Sequence, residues 1–377
     1  TSPKMKQRLT TVKWVVVDEL HELVGNERGA HLCISLARLQ KLASNKFVRV
    51  GISATIGDLD EAARFLCGPS DPCSIVVDSE ARGYNITCNY VDGTIFDLGD
   101  AIGSLISQHL KNSKSILIFT NTRDEAEFLS SILKTKVSTS LIEVHHGSLS
   151  GTVREGVESR LKNDMPVAVV TTSSLELGLD IGSVDLVIQV ASPRQASKML
   201  QRIGRSKHQL GKIAEGTIFV NRLDDEMETL ALIQRGREGS LEKPSIHCGA
   251  FDVLTHQLAG LVLERFSYDL NEAMQILEQT YPFNEITSED VIECIQMLER
   301  IGIVQFTGEV VQRRSSKSFA YYFGNISMIP DIEHFDVIDS TNRKPVGRLD
   351  QMFVGEYCEP GKAFILKGSN WSILSID

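Results

Sequence analysis

Across the first 220 residues, short uninterrupted apolar runs alternate with stretches of helical periodicity. The runs are WVVVD, VRVGIS, SILIFT, SLIEVHH, PVAVVTT, DLVIQV and GTIFV. Each is too short for a stable helix and rich in β-branched residues. That pattern predicts strands of a parallel sheet with both faces covered, where in–out alternation disappears. Between the runs, DEAEFLSSILKT and GTVREGVESRLKN read as amphipathic crossover helices. The alternation predicts βαβ units and an α/β fold. After Asn221 the pattern changes. Residues 225–305 read as helical, with i, i+3, i+4 apolar spacing in LTHQLAGLVLERF and TSEDVIECIQMLERIGIV, and Thr287 to Asp290 reads as a capping-box variant. From about residue 310 onward FAYYFGNISMI, EYCEPGKAFILKG and NWSILSI, punctuated by Gly, Pro and Asn, predict an antiparallel β module.

Composition adds limits rather than a function. The chain has 377 residues, 42% hydrophobic and 23% charged, which suits a globular protein of two or three domains. No segment offers the roughly 20 apolar residues of a membrane span, and the N-terminus lacks the order of a signal peptide, so a cytoplasmic location is expected. Seven cysteines without a C-x-x-C pair suggest reduced thiols, mostly buried as small apolar residues, and no zinc framework. The net charge of −10 is unevenly spread: residues 1–80 carry 10 basic and 10 acidic residues, 81–240 carry 18 and 19, and 241–377 carry 11 and 20. Binding of nucleic acid by a uniformly basic surface is therefore disfavoured, whereas binding through backbone N–H groups and hydroxyls stays open.

Chemistry gathers where strands end. KWVVVDELHEL runs an apolar strand into Asp18 and Glu19, at the carboxyl end where open α/β sheets place ligands. His21 is not half of a zinc-protease H-E-x-x-H pair, since position 25 is glycine. GISAT, residues 51–55, ends a second strand. Farther on come IFTNTR, VHHGSLS, TTSSLELGLDIG and SKMLQRIGRSKH.

This ordered set resembles the motifs of superfamily 2 helicases: D-E-x-H as motif II, S-A-T as motif III, IFTNTR as motif IV, TTSSLELGLDIG as motif V and QRIGR as motif VI. The wording of VHHGSLS and SSLELGLDIG, with GAFDVLTHQL and YPFNEITSEDV after the motor, is similar to the large helicase-related (Lhr) family over essentially the whole chain. The resemblance implies two RecA-like parallel sheets, a truncated first lobe (1–80) and a complete second lobe (81–235). A winged-helix segment (236–308) and the start of a β-rich C-terminal domain (309–377) follow.

It also implies roles. Asp18 would hold Mg²⁺ and Glu19 would orient and deprotonate the attacking water. Arg205 matches an arginine finger with Arg202 as its helper, Gln201 would link motif VI to the nucleotide and motif II, and Gly178 and Asp180 would lie at the nucleotide. Ser53, Ala54 and Thr55 would couple hydrolysis to strand binding. Gly147, Ser148, Thr171, Thr172 and Ser173, with Thr120 and Asn121, would hold phosphates of a nucleic-acid strand without reading bases. ATP and Mg²⁺ are the implied cofactors. The implied partner is single-stranded or partly duplex DNA, with RNA and a DNA–RNA hybrid left open.

Two departures qualify the match. Lys207 stands where motif VI usually has glycine, and His208 ends it. The phosphate-binding G-x-x-x-x-G-K-[ST] loop is absent, because Gly211-Lys212 and Gly361-Lys362 continue with Ile and Ala. A chain that starts inside its first lobe is expected, its upstream half a necessary partner and the chain alone inactive. The alternative is a non-catalytic nucleic-acid-binding or assembly module that retains a helicase fold.

Overall fold

The computed structural model describes residues 3–54, 56–77, 83–110, 115–163, 165–176, 182, 184–206, 213–326 and 334–376. The chain forms two compact units, residues 1–77 with 242–330, and residues 78–241 with 331–377.

In the first unit, helix α1 (Pro3–Leu9) precedes strand β1 (Trp14–Val17), helix α2 (Glu27–Leu42), strand β2 (Val48–Gly51) and helix α3 (Leu59–Cys67). β1 and β2 pair in parallel. Val17, Leu20, Cys33, Leu36, Phe65 and Leu66 close a small core on one face of the pair. The other face departs from the expectation of a doubly covered strand: Trp14 is 65% exposed, Val16 59% and Val48 55%. The physical reason is that α2 and α3 cover one side only, and among the described residues neither strand has a second neighbour. α2 begins at the Asn26 cap, whose side chain accepts from the Gly29 N–H. Position 29 admits only glycine, since a Cβ there would lie 1.8 Å from the Leu23 carbonyl oxygen.

The second unit opens with strand β3 (Tyr84–Tyr90) and helix α4 (Ile95–Leu110). β4 (Ser115–Phe119), α5 (Arg123–Lys136), β5 (Ile142–His145), α6 (Gly151–Lys162) and β6 (Val167–Thr171) follow. β7 (Leu186–Val190), α7 (Ala196–Ile203), β8 (Ala214–Val220) and α8 (Leu223–Glu238) complete it. Six parallel strands lie in the order β3-β8-β7-β4-β6-β5. Here the prediction of strands buried on both sides holds. Ile116 and Ile118 of β4 enter one core with Leu98, Ile102 and Leu129, while Leu117 and Phe119 enter the opposite core with Val157, Leu161 and Met199. The edge strand β3, with Tyr84, Asn85, Thr87, Asn89 and Tyr90, carried no continuous apolar signal because it is largely exposed.

Residues 242–326 contribute to the first unit. Helix α9 (Phe251–Arg265), strand β9 (Ser267–Asp269), helices α10 (Leu270–Leu277) and α11 (Ser288–Arg300), and strands β10 (Val304–Phe306) and β11 (Val310–Arg313) form a winged helix. Its antiparallel sheet has the order β10-β11-β9. α11 starts on the expected capping box, with Thr287 accepting from the Asp290 N–H and the Asp290 carboxylate accepting from the Thr287 N–H. Ala30, Ile34 and Ala37 of α2 join the core of this domain. One expectation fails: FAYYFG is not a strand but helix α12 (Lys317–Gly324). Packing overrides its aromatic β-propensity. Tyr321 packs on the winged-helix core, the Ser318 hydroxyl donates to the Ile303 carbonyl, and Tyr322 stacks on His256 with ring centroids 4.3 Å apart.

Residues 334–376 belong to the second unit. They form β12 (His334–Ile338), β13 (Pro345–Asp350), helix α13 (Gln351–Tyr357), β14 (Ala363–Leu366) and β15 (Ser369–Ser372). The strands pair antiparallel as two hairpins, as expected, although α13 takes the Glu356-Tyr357 part of EYCEPG. Only Cys33 and Cys294 among the seven free cysteines are buried, fewer than expected. Among the described residues no helix is long and apolar enough to cross a membrane.

Candidate nucleotide and nucleic-acid site

In the first unit, β1 delivers Asp18 and Glu19 to the carboxyl edge of the two-stranded sheet. Asp18 is exposed, and its Oδ1 accepts from the Glu19 N–H at 2.9 Å. Glu19 has φ 51° and ψ 44°, a left-handed conformation that costs a non-glycine residue energy and clusters at functional positions. The strain is held by a clip between the two strand ends: Leu20 N–H donates to the Ile52 carbonyl and Ile52 N–H to the Val17 carbonyl. His21 Nδ1 lies 3.1 Å from Ser53 Oγ, so the D-E-x-H and S-A-T segments are joined side chain to side chain. Ala54 is exposed beside them; Thr55 lies outside the described residues. Among the described residues no cluster of three or more His, Cys, Asp or Glu side chains could hold a metal. The exposed Asp18 carboxylate fits in its chemistry a Mg²⁺ that would take its other ligands from phosphates and water.

In the second unit, α7 carries Gln201 and Arg202, and Arg205 follows it. Gln201 is partly exposed, but Arg202 is 5% exposed. Its Nε donates to Glu176 Oε2 at 3.1 Å, its Nη1 to Gln189 Oε1 at 2.8 Å and to Asn121 Oδ1 at 3.4 Å, and its guanidinium lies over the Phe119 ring. The structure thus gives Arg202 an internal position that ties the ends of β4, β6 and β7 together. Arg205 is partly exposed, and its Nε and Nη2 both donate to the Glu176 carbonyl, at 2.9 and 2.6 Å. Glu176 therefore holds Arg202 with its carboxylate and Arg205 with its backbone. Sequence reasoning missed it and Gln189, and the only signal was the presence of Glu176 inside SSLELGLDIG. Gly178, Asp180, Lys207 and His208 lie outside the described residues.

The hydroxyl-rich loops separate into inward and outward groups. Thr120 and Thr171 are fully buried. Thr120 Oγ1 donates to the Thr122 carbonyl, and Thr171 Oγ1 to the Thr172 carbonyl. Both expected phosphate contacts thus use their hydroxyls inside the fold, where they fix loop geometry. Asn121 is exposed, but its Nδ2 donates to the Ser192 carbonyl. Gly147 and Ser173 are exposed, while Thr172 and Ser148 are partly so. Ser148 is already engaged: its Oγ accepts from Arg123 Nη1, and its carbonyl accepts from the Arg348 N–H. The two histidines of VHHGSLS point inward. His145 Nδ1 meets Ser174 Oγ at 2.8 Å and His146 Nε2 meets Glu127 Oε1 at 2.8 Å; burial lowers the His145 pKa against the pull of Glu158.

Two family models match the chain, the helicase conserved C-terminal domain over residues 98–208 and the winged helix domain of large helicase-related proteins over residues 234–377. The ATP-dependent helicase Lhr-Core protein 2 of Thermococcus barophilus is 36% identical over 395 residues, covering 98% of this chain and 45% of that protein. The structure of Mycobacterium smegmatis helicase Lhr bound to ssDNA and AMP-PNP matches with a TM-score of 0.76 and 29% identity, over 97% of this chain and 49% of that one. Helicase MrfA bound to DNA and AMPPNP shares the fold, with a TM-score of 0.78 and 20% identity over 99% and 52% of the two chains. The chain spans about half the length of the curated relatives it matches. With its parallel RecA-like sheet, its winged helix and an alignment to Lhr-Core proteins over nearly all of its own length, it belongs to the large helicase-related (Lhr) family of superfamily 2 helicases.

Proposed function

We propose that this chain carries motor elements of an ATP-dependent helicase or translocase that moves 3′ to 5′ on single-stranded DNA in repair. The observation that carries the reading is the strained Glu19 beside Asp18, with His21 bonded to Ser53, an arrangement suited to hydrolysis coupled to a second motif. The single-stranded DNA in the M. smegmatis relative supports the choice of strand. Mg²⁺ bound with ATP would neutralise charge developing on the transferred phosphate. This chain's own share is a carboxylate at Asp18 and a base at Glu19 in one unit and a cation at Arg205 in the other.

The exposed apolar face of Trp14, Val16 and Val48 supports a first lobe completed by further structure that also brings the phosphate-binding loop. Without that loop, Asp18 faces a metal whose phosphate ligands are not held in place, and carboxylates alone bind Mg²⁺ weakly. Calorimetry tests this. Residues 1–377 are expected to give no isotherm with ATP and Mg²⁺, and the chain completed by a phosphate-loop segment is expected to give a magnesium-dependent one. A saturating isotherm from residues 1–377 alone would overturn the inactivity, and silence from the completed protein would overturn the motor. The second reading, a non-catalytic nucleic-acid-binding or assembly module, is favoured by Arg202, which is spent entirely inside its own unit.

A further inference from the structure

The C-terminal module meets the second unit at a loop where an arginine and a hydroxyl converge. Gly347 of β13 bridges Leu149 in antiparallel fashion, and the Arg348 N–H donates to the Ser148 carbonyl at 2.6 Å. Arg123, at the start of α5, forks: Nη1 donates to Ser148 Oγ and Nη2 to Asp350 Oδ2, each at 2.5 Å. The other Asp350 oxygen accepts from the Phe353 N–H at 2.8 Å and caps α13. Beside this cluster Gly147 stays open, with nothing within 4 Å of where a Cβ would be. A guanidinium with one nitrogen on a hydroxyl and the other on an anionic oxygen, beside an open loop, can hold one phosphate oxygen. Here a carboxylate takes that place.

We propose that Arg123 and Ser148 form a phosphate-gripping subsite for a single strand, and that residues 345–350 cap it, with Asp350 standing in for the phosphate. The proposal rests on the nucleic-acid reading above and deepens it. It gives a role to acidity in the last third of the chain, where 20 acidic residues face 11 basic ones: part of that acidity is seated where a strand would bind. Arg123 remains 46% exposed on its side chain while Asp350 is 16% exposed, so the arginine can be reached from solvent while the cap is in place. Displacement exchanges one ion pair for another and needs no new charge on the lobe.

Anisotropy of a fluorescent oligo-dT strand against the full 377-residue chain tests the cap. Asp350→Asn retains a capping side chain for α13 and removes the charge. It is expected to tighten binding about two- to fivefold, as one partly exposed ion pair permits. Glu356→Gln, which makes the same change of net charge elsewhere in the module, is expected to do nothing. Gly347→Ala works by shape, since its Cβ would lie 2.8 Å from the Ser148 carbonyl oxygen, and it too should tighten binding. Arg123→Ala should weaken binding, lower the log–log salt slope by about 1 and cancel the gain from Asp350→Asn. Ordinary binding that ignores Asp350 and Gly347, or a gain from Asp350→Asn that survives Arg123→Ala, would overturn the cap alone. No binding by any variant would overturn the nucleic-acid reading and the cap with it.

Discussion

Glu19 combines a strained backbone with the proposed role of general base. Replacing its carboxylate by an amide keeps shape and hydrogen bonding but removes proton acceptance. In the protein completed by a phosphate-binding loop, Glu19→Gln is expected to abolish turnover while sparing nucleotide binding, read by steady-state hydrolysis beside a binding isotherm; wild-type-like turnover would remove Glu19 from that role. Glu176 makes a different demand. Its side chain is 4% exposed and its partner Arg202 6%, so Glu176→Gln leaves a buried guanidinium without its counter-charge, at a cost of about 3 kcal/mol or more. Urea unfolding should register that loss as a lower midpoint, and a change within error would mean that Gln189 and Asn121 suffice. The place of Asp18 and Glu19 at the end of β1 was legible because an apolar run stops there. Glu176 and Arg123 were not, since the sequence alone could not say which carbonyl or carboxylate meets which guanidinium.

α2 and α9 meet across a pair of imidazoles. The His31 and His256 ring centroids are 5.4 Å apart, and burial, helped by His256 and Arg38, lowers the His31 pKa from 6.5 to about 4. Burial lowers that of His256 as well, with Arg38 adding to it and the hydrogen bond to the Tyr322 carbonyl opposing it. A histidine held neutral in the fold binds fewer protons than in the unfolded chain. The stability it contributes is thus complete above pH 6.5 and is lost as pH falls from 6.5 toward about 4. Denaturation midpoints across that window should fall with pH in the wild type and less steeply in His31→Gln; an equal slope in both would assign the loss to other groups. At the start of α11, Thr287→Ala removes one arm of the capping box and should cost about 1 kcal/mol, measured the same way. Elements with strong local signals were readable in advance: five strands of the six-stranded sheet, β4 to β8, from their apolar runs, and α11 from its cap. β3 and α12 were not, because the first is held by pairing with β8 along its length and the second by aromatic packing on the winged helix.

At the scale of the whole chain, each unit is assembled from segments far apart in sequence: 1–77 with 242–330, and 78–241 with 331–377. Motif order announced the family and the charge shift an acidic C-terminal part. The return of that part onto the second unit, through Gly347 to Leu149 and Lys367 to Glu127, could not be read locally. The two-stranded sheet of the first unit has a consequence for the purified molecule. β1 and β2 each expose an unpaired edge among the described residues, and the uncovered face between them carries Trp14, Val16 and Val48. Such an edge is a template for strands from other copies. Sedimentation should therefore reveal self-association that grows with protein concentration, and Val16→Lys, which puts a charge in the middle of that face, should return the chain to monomer.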